Sequence, residues 1–418
     1  MHGNFRKLAR WNVSVVMIVV SVCFLAPAQV SAIINGDVKQ GDASPYVYLR
    51  MWWTVEETEK GSIQLLDRCS GTLISDRHVV SAAHCFWDDA TDRLRSNLRV
   101  DVFVSDVMGA KSKYTSLKVT THPLYKYNES KKLHDLAVIE VSTPIVNASF
   151  LPYGGFALKE IRKQALSAVG SGMTLQPQCD RRTCTFPPEP LERTLEIKDA
   201  RTIQTRVGKL KQLFEYTLRS RSVTGAVCHG DSGGSLVMND ASVKGPVLVG
   251  VLFAGEGDDC APNDVTNSVN LYYYSRWLHD VSSVAPTVPP RSVLEVFGDG
   301  VVARDVAKKS VRETICNQRW VSGKQAKFVT SLADAVDNNA LRADPDFASP
   351  VRYPDALIPV ALGGEFSIKN IAWFSTDPLD RHSKENRSAT AAAISARVCA
   401  GKITFAKGLA IYRAYLNK

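Results

Sequence analysis

The sequence predicts an all-β fold over residues 33–284, followed by a small domain of mixed α/β type over residues 293–418. In the first region, short apolar or alternating runs recur between glycine, proline, aspartate and asparagine, a spacing typical of a sandwich or barrel of many short strands. A length of 418 residues with 45% hydrophobic and 22% charged side chains excludes a mainly disordered chain. The clearest strand candidates are residues 46–51, 71–74, 98–104, 136–141, 165–169 and 246–253.

Residues 1–32 have the layout of a secretory signal peptide. A basic start precedes an apolar run over residues 13–25, which as a helix is too short for a bilayer core of about 30 Å. Small residues follow, with possible cleavage after Ala28 or Ala32. An uncleaved membrane anchor is the alternative. We expect a secreted protein, extracellular or periplasmic if bacterial, with no membrane span after signal removal.

The cysteines agree with export. Cys23 lies in the signal, and the eight others suggest four disulfides, although the count alone allows many pairings. Cys179 and Cys184 have a spacing near that of metal ligands, but no second pair or nearby histidines complete a set of four. We therefore predict disulfides and no metal or other cofactor. The eight cysteines are Cys69, Cys85, Cys179, Cys184, Cys228, Cys260, Cys316 and Cys399.

The net charge of +9 is concentrated at the two ends of the chain. Residues 1–32 carry +3, residues 33–290 balance 29 basic with 29 acidic side chains, and residues 291–418 carry +6. A chain that binds nucleic acid is expected to have a basic excess near its chemistry. We therefore expect no nucleic-acid partner.

The pattern of apolar residues changes toward the carboxyl end of the chain. A helix is predicted over residues 274–281, and three prolines within residues 285–292 predict a linker. Beyond it, helical stripes lie at 302–315 and 328–336, a strand is predicted over 356–362, and an alanine-rich helix over 388–399. The function of this domain is unknown. Its charge, with Trp320, Trp373 and Phe374, indicates either docking to a surface or partner, or ordinary core aromatics under a charged face.

Three segments carry residues suited to acyl transfer. His84 stands beside Cys85 after an apolar strand, Asp135 opens another strand, and Ser232 lies in the run Gly-Asp-Ser-Gly-Gly. A serine hydroxyl is a poor nucleophile until an imidazole takes its proton, and a buried carboxylate is needed to fix the tautomer of that ring. Glycines beside the serine leave room for two backbone N–H donors to an oxyanion.

These segments resemble the chymotrypsin/trypsin-like serine peptidases, which share the chain order His, Asp, Ser. The resemblance covers residues 33–284 and implies two six-stranded β-barrels with the active site between them. It implies His84 as general base and then acid, Asp135 as its orienting carboxylate, and Ser232 as nucleophile. The N–H groups of Gly230 and Ser232 would form the oxyanion hole. The implied function is a secreted serine endopeptidase acting on protein or peptide substrates.

Four other histidines compete for a role. His134 adjoins Asp135, but its side chain is expected on the opposite face of a strand. His229 is expected to border the substrate cleft. The remaining two are His78 and His122.

The resemblance also bears on the cysteines. It implies that Cys69–Cys85 staples the histidine loop and that Cys228–Cys260 braces the wall of the specificity pocket. Proximity alone suggests Cys179–Cys184, and Cys316–Cys399 would lie inside the carboxyl-terminal domain. The chain lacks the family's disulfide around residues 209–225, so the shape of that segment stays open.

The run Ile33-Ile-Asn-Gly matches the family's mature amino terminus, whose α-amine pairs with the aspartate before the nucleophile, Asp231 here. Cleavage after Ala32 would expose Ile33 directly, so that signal removal activates the enzyme. Cleavage after Ala28 would leave a four-residue pro-segment and a zymogen that needs a second cut. We favour direct activation.

The residues expected to line the primary pocket indicate which substrate side chain the enzyme would accept before the cut bond. The resemblance places Ala226, six residues before Ser232, at the floor of the primary pocket, where an aspartate would select Arg or Lys, and Val227 follows it. Gly255 leaves an open entrance, and Thr266 makes the pocket shallower. We predict small-to-medium apolar or uncharged side chains before the cut bond. The alternative is an Arg/Lys preference through three nearby acids: Glu256, Asp258 and Asp259.

Two further alternatives concern binding. The acidic stretch at residues 88–92 lies where some family members bind calcium, but its spacing favours a solvated turn. A binding or adhesion protein with an inactive peptidase fold is the second function class. Because the triad and the oxyanion glycine are all present, we favour the enzyme.

Overall fold

The computed structural model describes most of the strand-rich region and part of the carboxyl-terminal region. The described residues are 37–38, 44–58, 61–105, 111–125, 134–172, 193–197, 199–202, 205–207, 210–214, 216–240, 245–256, 260–292, 294–295, 316, 352–359, 362–364, 370–375 and 380–417. Several predictions fall outside these ranges: the signal peptide at 1–32, Ile33, Cys179, Cys184, Asp258, Asp259, Trp320 and the stripes at 302–315 and 328–336.

The strand-rich region contains eighteen strands and two α-helices among the described residues. In chain order the strands are β1 (Asp37–Val38), β2 (Tyr46–Thr58), β3 (Gly61–Leu73), β4 (His78–Ser81), β5 (Trp87–Asp88), β6 (Arg93–Leu94), β7 (Arg99–Ser105), β8 (Lys111–Thr121), β9 (Ala137–Val141), β10 (Ala165–Gly170), β11 (Arg193–Ile197), β12 (Asp199–Thr202), β13 (Thr205–Val207), β14 (Leu210–Phe214), β15 (Thr217–Arg221), β16 (Ser235–Asp240), β17 (Gly245–Glu256) and β18 (Val265–Asn270). The helices are α1 (Leu158–Ile161) and α2 (Ser275–Ser282).

The first half closes into a six-stranded antiparallel barrel in the order β2-β3-β4-β9-β8-β7. Alternation along each strand decides which side chains fill it. In β7, Val100, Val102 and Val104 point inward and are buried, whereas Arg99 is exposed. A register shift of one residue would turn these valines to solvent, so the apolar alternation fixes the pairing.

The second half forms one curled eight-stranded sheet in the order β1-β11-β10-β16-β17-β18-β15-β12. Register shifts in β16–β17 and β17–β18 bend it around its own apolar core. All six strand predictions are confirmed, and a barrel paired with a curled sheet fits the predicted double-barrel fold. The segment at 209–225, whose shape could not be predicted from the sequence, contains β14 and β15.

The end of the strand-rich region packs back onto it. Helix α2 agrees with the helix predicted over residues 274–281 and buries Trp277 and Leu278. Residues 285–292 form no helix or strand, as expected of a linker, yet they are not a free spacer. Thr287 donates its N–H to the Tyr153 carbonyl at 2.8 Å, and Arg291 Nε donates to the Tyr272 carbonyl at 2.9 Å.

The carboxyl-terminal region has an apolar core of its own and contains both strands and helices among its described residues, which fits the predicted mixed α/β type. Strands β19 (Arg352–Ala356) and β20 (Ile371–Ser375) pair antiparallel, and helices α3 (Lys384–Cys399) and α4 (Phe405–Leu416) follow. The predicted helix at 388–399 lies within α3. Phe374 is buried in the core, and Cys316 is bonded to Cys399.

The strand predicted over residues 356–362 is wrong at residues 357–359 and 362, which lie outside β19, and residues 360–361 are outside the described residues. The buried side chain of Asn370 takes the place of a strand partner: its Oδ1 accepts from Ile358 N at 3.0 Å, and its Nδ2 donates to the Ile358 carbonyl at 2.9 Å. An apolar run therefore stays buried without being a strand. Within the described ranges, no helix has the length and apolar character needed to span a membrane.

Candidate active site

His84 lies on a single turn of 3-10 helix, Ala83–Phe86, directly after β4. Residues on either side of it are buried, among them Val80, Ala83 and Phe86, so the turn is anchored in the first barrel. The next residue, Cys85, is bonded to Cys69 on β3. The apolar strand and the disulfide together fix the backbone that carries the imidazole.

Asp135 lies just before β9 and holds His84 by two hydrogen bonds. Its Oδ1 accepts the backbone N–H of His84 at 2.8 Å, and its Oδ2 lies 2.7 Å from the ring Nδ1. The Asp135 side chain is fully buried, whereas the imidazole is 18% exposed. An ionised carboxylate only accepts hydrogen bonds, so this contact requires a proton on Nδ1, and in the neutral ring Nε2 then keeps its lone pair.

Ser232 lies in a tightly turned segment, residues 228–235, which we call the Ser232 loop. Its carbonyl accepts from Ser70 N at 2.7 Å, which ties the loop to β3 of the first barrel. Gly233 follows with a φ of +83°, and a Cβ there would lie 2.1 Å from Ser81 Oγ. Only glycine fits this conformation and this space, so the second glycine of the motif has a steric cause.

The loop and the imidazole meet at Cys85. Its Sγ lies 4.0 Å from His84 Nε2 and 3.9 Å from the Ser232 carbonyl oxygen. Between these described residues, His84 Nε2 and Ser232 Oγ form no hydrogen bond.

The carboxylate of Asp231, within the Ser232 loop, is fully buried. It accepts from Gly172 N and from Cys228 N, each at 2.8 Å. A Cβ on Gly170 would come within 2.4 Å of Asp231 Oδ1, so this glycine is required by a close approach. Its predicted partner, the amine of Ile33, lies outside the described residues.

The family model for trypsin matches residues 44–278, more than half of the 418-residue chain. The chain belongs to the trypsin family. It is 30% identical over 196 residues to a trypsin of Phaedon cochleariae, a match covering 44% of this chain and 68% of that relative. It is 24% identical over 230 residues to the clotting factor G beta subunit of Tachypleus tridentatus, covering 51% and 71%. With kallikrein-7 of Homo sapiens it shares 24% over 218 residues, covering 51% and 76%.

Within this trypsin-family domain, the four predicted pocket residues lie around one another. Gly255 is directly opposite Thr266 in the pairing of β17 with β18, and a Cβ on Gly255 would lie 3.5 Å from the Val227 carbonyl. Ala226 packs with Cys228 and Cys260, which are bonded to each other. All four of these predicted pocket residues are uncharged.

The sequence reasoning missed two hydroxyls near these residues. Ser220 lies opposite Thr266 on β15, and Ser268 lies two residues beyond Thr266 on the same face of β18. Both side chains are buried, and neither Oγ has a protein hydrogen-bond partner among the described residues. The alternation along β18 was the signal that could have found Ser268.

His134 differs from its prediction. It precedes β9 with a φ of +64° and is not on a strand face. Its ring stacks on that of His122 at 5.4 Å between centroids, and its Nδ1 lies 2.9 Å from the Tyr274 hydroxyl. Burial, with the neighbouring His122, lowers the pKa of His134 well below the ordinary 6.5. This histidine therefore belongs to a separate ring cluster, completed by Tyr216.

The remaining histidines and acids have local roles. His78, the first residue of β4, has its Nδ1 2.9 Å from Ser75 Oγ, and His229 is exposed in the Ser232 loop. Asp88 accepts from Ala90 N and Thr91 Oγ1, as expected of a turn. Among the described residues, potential metal ligands cluster at Cys69, His84 and Cys85, but both sulfurs belong to one disulfide.

Proposed function

We propose that the chain is a secreted serine endopeptidase with His84, Asp135 and Ser232 as its catalytic triad. The observation that carries the proposal is the double hydrogen bond from His84 to the buried Asp135, 2.8 Å from the backbone and 2.7 Å from the ring. A carboxylate hidden from water and fully used by one histidine orients that histidine for proton transfer. A histidine with only a structural role has no need of it.

The proposed reaction follows from the proton positions. His84 Nε2 takes the proton of Ser232 Oγ while the oxygen attacks the substrate carbonyl carbon, and the carbonyl oxygen becomes an oxyanion. Collapse breaks the C–N bond, and His84 gives the proton to the leaving amine. Water then repeats the sequence on the acyl-enzyme, releasing the acid and free Ser232.

The oxyanion would be held by the N–H groups of Gly230 and Ser232. Within the described residues, neither N–H donates an internal hydrogen bond, so both are left for a ligand. Gly230 has a φ of +87°, a conformation that favours glycine and turns its N–H differently from that of an ordinary residue. Direct donors of this kind are worth about 10²–10³ in kcat.

For specificity we propose small-to-medium apolar or uncharged side chains before the cut bond. Ala226 and Val227 are buried and uncharged, and Gly255 leaves the entrance open. The alternative, Arg or Lys, would need Glu256, Asp258 or Asp259, whose side chains are outside the described residues. A peptide panel with Ala, Val, Leu, Phe, Arg and Lys at this position decides, and a preference for Arg would reverse the proposal.

We also propose that residues 33–284 form the peptidase domain, 285–292 its linker and 293–418 a separate domain. Separate apolar cores on the two sides of the linker support this division. Docking of the +6 region to an acidic surface remains a proposal. Retention of the full chain on an acidic matrix at low salt would support it, and flow-through at low salt would remove it.

The test of the enzyme proposal is hydrolysis of a denatured protein and of the peptide panel. The test variant is Ser232→Ala. Its matched control is Ser282→Ala, since Ser282 is a buried serine in α2. We expect Ser232→Ala to lose activity and Ser282→Ala to keep it. Equal loss in both, or activity in neither the wild type nor the variants, would favour an inactive peptidase fold with a binding function.

A further inference from the structure

One serine of the first barrel contacts both residues of the proposed oxyanion hole. Ser70 follows Cys69 on β3 and is 2% exposed. Its backbone N–H donates to the Ser232 carbonyl at 2.7 Å, and its Oγ donates to the Gly230 carbonyl at 2.9 Å. The two carbonyls therefore belong to the same two residues whose N–H groups would face the oxyanion.

A second buried serine sets the direction of the Ser70 hydroxyl. Ser171 donates its backbone N–H to Ser70 Oγ at 2.9 Å, and the two Oγ atoms lie 3.1 Å apart. A hydroxyl has one proton, and that of Ser70 goes to Gly230, because a carbonyl only accepts. Ser171 Oγ is therefore the donor between the two hydroxyls. Ser70 Oγ has both lone pairs and its proton in use, so its orientation is fixed.

The peptide plane after Gly230 is held from both sides. Its carbonyl is bound by Ser70 Oγ, and its N–H, that of Asp231, donates to the Cys228 carbonyl at 3.0 Å. Glycine has little intrinsic preference for one φ, so φ at Gly230 depends on what holds the neighbouring planes. Fixing this plane limits the rotation that would turn the Gly230 N–H away from the oxyanion.

We propose that Ser70 is a positioning residue for the oxyanion hole: its hydroxyl, oriented by Ser171, holds the Gly230 carbonyl so that the Gly230 N–H faces the reacting oxygen. This proposal rests on the proposed peptidase function. Ser70 touches no reacting atom, so its effect is confined to the orientation of a donor.

The first test is Ser70→Ala in the full-length protein. Loss of one neutral hydrogen bond that orients a donor should lower kcat about 10-fold, less than the loss of the donor itself, and leave KM within about 2-fold. A peptide aldehyde, whose adduct with serine carries an oxyanion-like oxygen, should lose affinity by the same factor as kcat/KM. A purely structural serine would not produce this parallel.

The matched control is Ser282→Ala. Ser282 is also buried, donates its hydroxyl to a backbone carbonyl, that of Leu278, and accepts the N–H of Val284. Both variants should lose comparable thermal stability, whereas only Ser70→Ala should change kcat and the aldehyde constant. Equal kinetic effects in the two variants would overturn the proposal.

A double-mutant cycle adds the role of Ser171. Ser171→Ala should lower kcat about 3-fold, because Ser70 keeps its bond to Gly230 but loses a partner that orients it. The double variant should be no worse than Ser70→Ala alone, since Ser171 acts through Ser70. Additive losses would contradict the proposal. If Ser70→Ala fails to fold, Ser171→Ala decides, and an unchanged kcat and aldehyde constant overturns it.

The experiment separates this proposal from the peptidase proposal. If the wild type hydrolyses no peptide and binds no aldehyde, the peptidase function has failed. If the wild type is active and Ser70→Ala keeps its kcat, only the role of Ser70 has failed.

Discussion

Asp135 uses both carboxylate oxygens on a single residue, His84, one for the backbone N–H and one for the ring. The backbone bond fixes the position of the histidine, and the ring bond fixes which nitrogen carries its proton. Replacing the Asp135 carboxylate with an amide separates the two effects. The amide keeps one oxygen that can accept the backbone N–H of His84, but its other group is an NH2 that cannot accept a hydrogen bond from the ring.

Asp135→Asn should therefore leave the protein folded but nearly inactive. The amide NH2 would favour the tautomer with the proton on Nε2, and such an imidazole accepts no proton from Ser232. We expect a fall in kcat of about 10⁴-fold with the unfolding midpoint changed far less. Peptide hydrolysis and urea unfolding measure the two. Asp92→Asn, in the exposed turn, is the control, and a kcat reduced less than 10-fold would contradict the assignment.

The free energy of unfolding should depend on pH because His134 takes up a proton on unfolding. Its lowered pKa means that the unfolded chain binds a proton more readily than the folded chain. The contribution of His134 to the free energy of unfolding is therefore complete above pH 6.5. It declines as the pH falls below that value, because the unfolded chain then takes up the proton first. The ionisable groups around the ring are His122, Tyr216 and Tyr274, with Asp135 next along the chain.

His134→Asn should flatten this acid limb. Asparagine tolerates a positive φ and does not titrate, so the slope of unfolding free energy below pH 6.5 should decrease by up to about 1.4 kcal/mol per pH unit. Urea unfolding of both proteins at pH 5 and pH 7.5 provides the comparison, with the neutral value as the reference for any loss of packing. Identical slopes would show that His134 does not titrate on unfolding.

Gly170→Ala should displace the carboxylate of Asp231, next to Ser232. The new Cβ would press on the Asp231 carboxylate, and overpacking of this kind costs about 1–3 kcal/mol. Because Asp231 is next to Ser232, we also expect kcat to fall about 10-fold or more. In Gly245→Ala, where no atom of the described residues lies within 4 Å of the new Cβ but φ is +120°, stability should fall while the folded enzyme keeps its kcat. An unchanged kcat in Gly170→Ala would contradict this link.

Gly255→Val should narrow the pocket selectively. Among the described residues, a Cβ at this position meets only the Val227 carbonyl, so we expect the larger side chain to fit the fold but fill the entrance. We expect kcat/KM to fall about 10–100-fold for Phe and Leu and far less for Ala. The peptide panel measures the ratio. A uniform fall for all substrates would place Gly255 outside the pocket.

Sequence alone predicted the features that depend on neighbours along the chain. Alternation in segments such as residues 98–104 predicted the strands, and the local runs around His84, Asp135 and Ser232 predicted the family. The predicted strand over residues 356–362 is wrong at residues 357–359, where the side chain of Asn370, twelve residues from Ile358, binds the backbone.

Contacts across long sequence separations had no local signal. Ser70 meets Ser171 and Gly230 across 101 and 160 residues, and its motif neighbours gave no reason to single it out. The contacts of residues 285–292 with Tyr153 and Tyr272 were missed for the same reason, since a proline-rich composition predicts an absence of secondary structure but not what the segment touches.

The most direct test of the proposed triad is labelling with a fluorophosphonate, which reacts with a serine activated by a histidine. The labelled peptide is identified by mass spectrometry, and the amino terminus of the same sample is sequenced. We expect a chain beginning at Ile33 to be labelled on Ser232, Asp135→Asn to react much more slowly, and Ser232→Ala to stay unlabelled. A wild-type chain that begins at Ile33, is folded and remains unlabelled would contradict the peptidase function.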